Sequence, residues 1–253
     1  MKALGIPRVG TVISLPDLAL AELAGAALDF AWIDLEHGAL SVRDAQALAI
    51  ALTAAGCEAH VRLPHAGSEL LGPVLDAGVD GVVAPRVDDA GTARAIVERL
   101  HYPPAGTRGF GPRRAGDYGR GPISSVTCTV QIESPAGVAA AAEIAAVDGI
   151  DAVVLGCADL AQALDAPQDL SSRALAEAVD CVAVAAAAAG RRFGLAAGGG
   201  FDEVAALAAG RADHVVFSAD VRVYSRAIDA AMDGLATALQ GAATSREASR
   251  ATA

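Results

Sequence analysis

Eight apolar runs of strand length recur along the 253-residue chain with helix-like stretches between them, and this alternation limits the fold more than any other feature. The runs span residues 9–15, 30–35, 59–63, 81–84, 127–132, 152–155, 192–196 and 213–217. Strands that alternate with helices form a parallel sheet, and eight such units in about 250 residues are typical of a closed barrel. We therefore predict an α/β fold, a (β/α)8 TIM barrel. A doubly wound open sheet is the alternative.

A single domain is expected over residues 1–240, with Asp and Ser at the positions where helices begin. Its last helix, at about 220–240, is long enough to pack on the barrel or on a neighbouring subunit. Residues 241–253 are small and polar and lack an apolar face, which predicts a disordered tail.

The composition narrows the possible partners. A net charge of −11 argues against nucleic acid and anionic membranes, since both would repel the chain. No uninterrupted apolar run reaches the roughly 18 residues of a membrane helix. The cysteines are far apart and form no CxxC pair, which predicts reduced thiols and a cytoplasmic protein. Small molecules and protein subunits remain as partners.

One stretch, residues 100–125, breaks the alternation because it is rich in Gly, Pro and Arg. Loops of this length are uncommon in compact domains unless they are functional or disordered. Its arginines lie in an otherwise acidic chain: Arg108, Arg113, Arg114, Arg120 and the nearby Arg99. They indicate either a lid that faces an anion, or a solvated loop or subunit contact.

Two carboxylates, Glu133 and Asp159, follow the fifth and sixth strands, at the end where barrel enzymes carry their chemistry. Two acids at one end of a sheet repel each other unless a cation or a proton lies between them. Mg²⁺ commonly takes one or two carboxylates together with substrate oxygens. The alternative is that each acid caps the helix that follows it.

Two further side chains at strand ends suggest catalysis. His37 follows the second strand in a Gly-containing turn and is the best candidate base, because histidine titrates near neutral pH. Arg62 ends the third strand, where burial requires an anionic partner. A substrate oxyanion would supply one, and so would an internal ion pair with Asp34 or Glu36.

The sequence contains no P-loop, HExxH or GxSxG motif. The glycines at 198–200 follow the seventh strand, where some barrels bind phosphate. They indicate either a phosphate cradle, as in a barrel isomerase, or a tight turn.

Six segments in order, WIDLEHG, VRLP, LDAGVDGVVAP, YPPAGTRGFG, QIESPAGV and GCADL, resemble the motifs of the HpcH/HpaI aldolase/citrate lyase superfamily. The resemblance is to its class II pyruvate aldolases, of the 4-hydroxy-2-oxoheptanedioate aldolase type. It implies a TIM barrel that assembles as a homohexamer, a dimer of trimers, with the last helix exchanged between subunits. It also implies reversible cleavage of a 4-hydroxy-2-oxo acid to pyruvate and an aldehyde through a metal-stabilised pyruvate enolate, with Mg²⁺, Mn²⁺ or Co²⁺. No Schiff-base lysine is implied, and the only lysine is Lys2.

The resemblance implies a role for each matching residue. Glu133 and Asp159 would bind the metal, His37 would be the base, and Arg62 would hold the keto oxygen of the substrate. Asp76 would pair with the histidine.

Three more positions take implied supporting roles. Asp34 would support the same site, Gln131 would lie beside pyruvate, and the backbone of Ala158 together with that of Asp159 would receive the pyruvate carboxylate.

The segment GCADLAQALD departs from the family pattern GPxDLxxxLG. Cys157, Ala161 and Asp165 stand where proline, serine and glycine are usual. These departures leave open a Claisen-type or citrate-synthase-like member that forms a carbon–carbon bond with another oxo acid or an acyl-CoA. A non-catalytic oligomeric binding protein is the remaining alternative.

Overall fold

A computed structural model describes residues 6–123, 125–166 and 169–251, and its eight strands form one closed parallel barrel. The strands are β1 (Arg8–Ile13), β2 (Phe30–Asp34), β3 (Glu58–Arg62), β4 (Gly81–Ala84), β5 (Thr127–Ile132), β6 (Ala152–Gly156), β7 (Arg192–Ala197) and β8 (His214–Ala219). Neighbouring strands follow chain order and β8 pairs with β1, so the open-sheet alternative is wrong. Every predicted run ends within about two residues of an observed strand.

Helices lie between the strands and around the barrel. They are α1 (Leu18–Ala27), α2 (Val42–Ala54), α3 (Leu71–Asp76), α4 (Ala90–Leu100), α5 (Pro135–Ala139), α6 (Ala141–Ala145), α7 (Cys157–Ala163), α8 (Arg173–Ala188), α9 (Phe201–Ala208) and α10 (Asp220–Ala251). The expected caps are present where Asp17, Ser41 and Asp89 accept hydrogen bonds from the first turns of α1, α2 and α4. No helix among the described residues is long and apolar enough to cross a membrane.

The apolar core has two layers, as the barrel fold requires. Phe30, Trp32, Val83, Val154 and Val216 form a buried cluster of their own. The larger cluster lies between the strands and the surrounding helices and consists mainly of Ala, Val, Leu and Ile. Small alanines let the helices approach the sheet closely.

Four aspartates form the same hydrogen bond at the amino-terminal end of the barrel. Asp29, Asp80, Asp151 and Asp213 each precede an even-numbered strand and accept the backbone N–H of a residue on the preceding odd-numbered strand, at 2.8–2.9 Å. These strand-end donors would otherwise lack a partner at the barrel edge. The four bonds therefore hold pairs of strands in register.

The last helix, α10, continues to Ala251, so the tail predicted to be disordered from Gly241 is helical through that residue. The segment contains no proline, and its alanines, two arginines and single glutamate have good helix propensity, which outweighs the lack of an apolar face. Residues 252–253, at the end of the predicted tail, lie outside the described part of the chain, as do residues 1–5 of the predicted domain.

Candidate active site at the carboxyl ends of the strands

Arg62 lies between two acids at the end of β3. Its Nε and Nη2 donate to the two carboxylate oxygens of Asp34 at 3.0 and 2.7 Å, and its Nη1 lies 3.1 Å from Glu36 Oε2. Asp34 and Arg62 are the last residues of β2 and β3 and face each other in the strand register. The internal ion pair weighed as an alternative is therefore present, and it involves both acids.

Arg62 and Asp34 are both buried, with 8% and 2% of their surfaces exposed. Burial favours the neutral acid, but the hydrogen bonds and charge of Arg62 outweigh it and hold the pKa of Asp34 below its usual value. The guanidinium has five N–H donors, of which two donate to Asp34. Other N–H groups of the guanidinium remain for a ligand, because Arg62 lines the central cavity.

Glu133 is a buried carboxylate directly after β5. Its Oε1 accepts a hydrogen bond from the backbone N–H of Arg86, and its Oε2 accepts one from Nε2 of Gln131, both at 2.9 Å. Burial, then the charges of Glu36 and Asp159, raise the pKa of Glu133 to about 7.

Neither acid caps a helix, so the capping alternative is wrong. The cap of α5 is Ser134, whose Oγ accepts the N–H of Gly137 at 3.0 Å. Asp159 is the third residue of α7, whose cap position, Gly156, forms no side-chain cap bond. Asp159 instead lines both the central cavity and a smaller recess beside Glu133.

Gly156 allows the polar groups to come this close. A Cβ atom at this position would lie 2.7 Å from Gln131 Nε2 and 2.8 Å from Glu133 Oε2. Real side chains do not approach so closely, so glycine is required for the observed position of Glu133.

The central cavity has a volume of about 380 Å³ and lies at the carboxyl ends of the strands. Predicted site residues in its lining are Asp34, His37, Arg62, Gln131, Ala158 and Asp159. His37 is half-exposed in the turn after β2, and its Nε2 lies 3.7 Å from Glu36 Oε2. The structure thus brings together the base, the arginine and the acids that were predicted from separate parts of the chain.

The donor groups at this end fit a divalent cation. Glu133 and Asp159 supply two carboxylates that repel each other without one, and the buried Oε1 of Gln131 has no hydrogen-bond partner among the described residues. No cluster of three or more His, Cys, Asp or Glu with metal-binding geometry occurs in the described part of the chain. A cation would therefore take its remaining ligands from water and substrate, as Mg²⁺ commonly does.

Asp76 does not join this site within the chain. It is the last residue of α3, which places it near the amino-terminal end of the barrel, and its Oδ1 pairs with Arg108 Nη2 at 3.3 Å. The resemblance located Asp76 only along the chain, whereas its pairing with His37 depends on where the two residues lie in three dimensions. Within one chain that pairing is wrong.

The arginine-rich loop connects α4 to β5, so it lies at the amino-terminal end of the strands. Arg108 is buried there over the ring of Tyr102, and Arg114 Nη1 donates to the carbonyl oxygens of Ala77 and Gly78. Because these groups hold the end of α3, the predicted lid does not cover the cavity of its own chain.

The glycines after β7 form a turn. The N–H of Gly200 donates to Glu203 Oε2 at 2.9 Å, at the start of α9. That carboxylate would repel a phosphate, which disfavours the predicted phosphate cradle. Gly198 instead contributes to the wall of the central cavity.

The departures from the family pattern have structural explanations at two positions. Cys157 is fully buried at the start of α7, and burial raises the pKa of its thiol to about 12, so it packs as a small apolar residue. Asp165, where glycine is usual, has φ of 55°. This left-handed conformation favours glycine, and aspartate is among the residues that tolerate it.

Sequence reasoning did not assign site roles to Glu36, Arg86, Ser218 or Arg222. Ser218 lies in β8 and Arg222 in α10, away from the strands that carry the acids. Only their positions in the cavity lining identify them. Arg86 carried a signal, since it lies two residues past the end of β4. Its φ is 54°, its N–H donates to Glu133 Oε1, and its Nε lies 3.4 Å from Glu36 Oε1.

A closed parallel barrel with charged side chains around a cavity at the carboxyl ends of its strands defines a (β/α)8-barrel enzyme. The model of the HpcH/HpaI aldolase/citrate lyase family matches residues 14–211, and the chain belongs to this family.

Among characterised relatives, a hydroxypyruvate/pyruvate aldolase of Rhizorhabdus wittichii is 36% identical over 79% of this chain and 83% of its own length. A 4-hydroxy-2-oxovalerate aldolase of Rhodococcus jostii is 37% identical over 64% of this chain and 66% of its own length. A solved HpcH/HpaI aldolase/citrate lyase family protein from Burkholderia cenocepacia superposes with a TM-score of 0.84 at 29% identity, covering 90% of this chain and 94% of its own. The aldolase activity expected from the sequence agrees with the names of these relatives.

Proposed function

We propose that the protein is a divalent-metal-dependent aldolase that reversibly cleaves a 4-hydroxy-2-oxo acid to pyruvate and an aldehyde. The observation that carries this proposal is that Glu133 and Asp159 line one recess, and that Asp159 also lines the cavity of Arg62 and His37. Cleavage of the C3–C4 bond of a 2-oxo acid needs acids that can hold a metal, a positive group for the keto oxygen and a base. Glu133 with Asp159, the guanidinium of Arg62, and His37 match these three needs. The names of the two relatives support the same reaction.

Glu133 and Asp159 would hold the divalent ion. When bound, the ion supplies Lewis-acid polarisation of the 2-oxo group of the substrate. Gln131 fixes one oxygen of Glu133 and lies beside the space left for pyruvate. The backbone N–H groups of Ala158 and Asp159 belong to the first turn of α7, have no partner within that helix, and would receive the pyruvate carboxylate.

Arg62 stabilises the negative charge that develops on the keto oxygen during cleavage. The two hydrogen bonds to Asp34 fix its plane, so its remaining N–H groups are oriented before the substrate binds. This arrangement unites the two interpretations of Arg62, because the internal ion pair is what positions the group that binds the substrate.

His37 takes the proton from the C4 hydroxyl as the C3–C4 bond breaks, which leaves the aldehyde and the enolate of pyruvate. In the reverse direction it returns that proton to the new hydroxyl. Its Nε2 lies 3.7 Å from Glu36 Oε2. Since Asp76 lies at the other end of the barrel, an aspartate partner for His37 from that position requires a second subunit.

A homo-oligomer is part of this proposal, and the surface near α10 supports it. α10 lines one side of an apolar groove of about 390 Å³ with Val223, Tyr224 and Ala227, opposite α1 and β1. A second apolar groove of similar size lies between α9 and β8. Both fit exchange of α10 between subunits, as expected for a hexamer.

The assay supplies pyruvate, a short aldehyde and Mg²⁺ or Mn²⁺, and follows formation of the aldol product. We expect product formation that EDTA abolishes and added metal restores. Glu133→Gln should lose activity by orders of magnitude, whereas Glu143→Gln, an exposed acid on α6, should keep it. Turnover that is independent of metal would overturn the mechanism. Product from acetyl-CoA or oxaloacetate alone would favour the Claisen-type alternative.

A further inference from the structure

The amino-terminal end of the barrel contains a second, much smaller cavity, which the proposed mechanism does not use. Its volume is about 10 Å³, which is room for about one water molecule or one ion of similar size. Two arginines and two histidines line it, Arg8, Arg192, His60 and His214, and no carboxylate among the described residues does. Three of these four residues are the first residues of their strands, so the cavity lies at the opposite end of the barrel from the candidate active site.

Two glycines make room for the histidines inside the barrel. His60 on β3 faces Gly81 on β4 in the strand register, and a Cβ atom at Gly81 would lie 2.7 Å from its Nδ1. His214 on β8 faces Gly194 on β7 in the same way, and a Cβ atom at Gly194 would overlap the imidazole ring. Both rings therefore occupy space that neighbouring strands leave free of side chains.

Several buried polar groups around this cavity have no partner. Trp32, Thr129 and His214 line it with 1%, 3% and 9% of their surfaces exposed. None of the three forms a side-chain hydrogen bond with a residue that the structure describes. The Nε of Arg8 is also buried and lacks a hydrogen-bond partner in the same part of the chain. Buried polar groups without a partner are uncommon in folded proteins, and all four carry an N–H or O–H donor.

The charges around the cavity are predominantly positive. Glu58 lies outside the lining, 2.9 Å from Arg8 Nη2 and 3.4 Å from His60 Nε2. Arg192 forms no ion pair or side-chain hydrogen bond within the described ranges. Burial, and then the charges of Arg192, His60 and Arg8, lower the pKa of His214 to about 3, so this ring lies in a positive field. A cation is disfavoured here, and a bound anion would offset the charge of Arg192.

The four aspartates at this end of the barrel do not cancel that charge inside the cavity. Each accepts a backbone N–H on a neighbouring strand, and none belongs to the cavity lining. The lining thus combines unpartnered donors with an unpaired positive charge. A ligand that only accepts hydrogen bonds and carries a negative charge satisfies both.

We propose that this cavity binds one small monovalent anion of the size of chloride, held by Arg8, Arg192 and His214, and that the ion stabilises the amino-terminal end of the barrel. The hydroxyl of Thr129 and the indole N–H of Trp32 would donate further hydrogen bonds to it. A large organic anion is excluded by the size of the cavity. The ion takes no part in the proposed aldolase reaction, because its site lies at the other end of the strands.

The first experiment measures urea unfolding at pH 7.5 in sodium chloride and in sodium gluconate at equal ionic strength. Gluconate is too large for the cavity, so it controls for general screening by salt. We expect the folding equilibrium constant to rise with chloride, by up to ten-fold for each ten-fold increase in concentration, which is the limit for one site. Equal stability in the two salts at every concentration would overturn the proposal.

Arg192→Met should weaken this chloride dependence, with the Kd for chloride raised about ten-fold or more. Arg192 is exposed at the start of β7, so the variant should fold, and circular dichroism checks that it does. Arg43→Met is the matched control, because it removes the same charge from an exposed residue of α2 outside the cavity lining. It should keep the chloride dependence of the wild type. A full chloride response in Arg192→Met would contradict the assigned site.

Bromide, which resembles chloride in charge and size, locates the ion directly. Crystals of the wild type soaked in sodium bromide should show an anomalous-scattering peak in the cavity, and crystals of Arg192→Met should show it weakened or lost. A water molecule alone in the cavity, or bromide only at other positions on the surface, would overturn the proposal. This result does not depend on the stability of any variant.

Discussion

Arg62 and Asp34 form a buried, two-point ion pair across the ends of two adjacent strands, with N–O distances of 3.0 and 2.7 Å. The pair sets the orientation of the only guanidinium predicted to stabilise the reacting oxygen. Because both groups are almost inaccessible to water, loss of one partner leaves the other buried and uncompensated.

Asp34→Asn should therefore reduce both activity and stability. The amide presents an N–H₂ group toward donors of Arg62, so we expect kcat/KM to fall about a hundred-fold or more and the free energy of unfolding to fall by about 3 kcal/mol. Urea denaturation and steady-state kinetics measure the two effects. Asp180→Asn, which breaks an exposed pair with Arg211, is the control and should cost less than about 1 kcal/mol. Equal stability of both variants would contradict a structural role for the buried pair.

Gly156→Ala should damage the cation site without changing any charged residue. The added methyl group would overlap Gln131 Nε2 and Glu133 Oε2, so one or both must move away. We expect weaker Mn²⁺ binding in calorimetry, by about ten-fold or more, and a matching loss of activity. Gly72→Ala in α3 meets no atom within 4 Å and should be neutral or slightly stabilising. Unchanged Mn²⁺ affinity in Gly156→Ala would separate Glu133 from metal binding.

His214 at the amino-terminal mouth of the barrel makes stability depend on pH. Burial, and then the charges of Arg192, His60 and Arg8, lower its pKa from the usual 6.5 to about 3. Between these values the unfolded chain binds a proton that the folded chain does not. Stability is therefore complete above about pH 6.5 and falls as the pH drops toward 3.

The contribution of His214 amounts to about 1.4 kcal/mol per pH unit, or about 2 kcal/mol between pH 6.5 and 5. His214→Gln cannot take up this proton, so its free energy of unfolding should decline less steeply over that range. Chemical denaturation at a series of pH values gives the difference between the two proteins. A constant difference from pH 7 to pH 5 would show that His214 is protonated in the folded state.

The strands were predictable because their signal is local. Runs of β-branched and apolar residues marked the strands, with Asp34, Arg62 and Glu133 at or next to the ends of three of them. Eight such runs alternating with helices were enough to predict closure. The end of α10 was not predictable from the apolar pattern, because residues after Gly241 lack an apolar face while their helix propensity remains good.

The site was only partly predictable, for a physical reason. Residues that immediately follow strands must emerge at the same end of a parallel barrel, which correctly brought His37, Arg62 and Asp159 together. Asp76 lies at the end of a helix, and its partner Arg108 is 32 positions away in a loop, so motif spacing could not locate it.

The apolar stripe on α10 gives the last prediction. Tyr224, Ile228, Met232, Leu235 and Leu239 recur every three or four residues and are all exposed in the single chain, from 44% to 61%. A stripe at this spacing lies on one face of a helix, and its exposure to water is unfavourable, so it should be covered by another subunit.

The double variant Ile228→Asp/Met232→Asp should therefore shift the protein toward smaller species in analytical ultracentrifugation, because burying two carboxylates in an apolar interface is costly. The control Asp229→Asn/Asp233→Asn changes charge on the same helix outside the stripe and should leave the assembly intact. Circular dichroism would show whether the barrel remains folded. If both double variants sediment like the wild type, the stripe does not form the subunit contact, and the grooves beside β1 and β8 need another occupant.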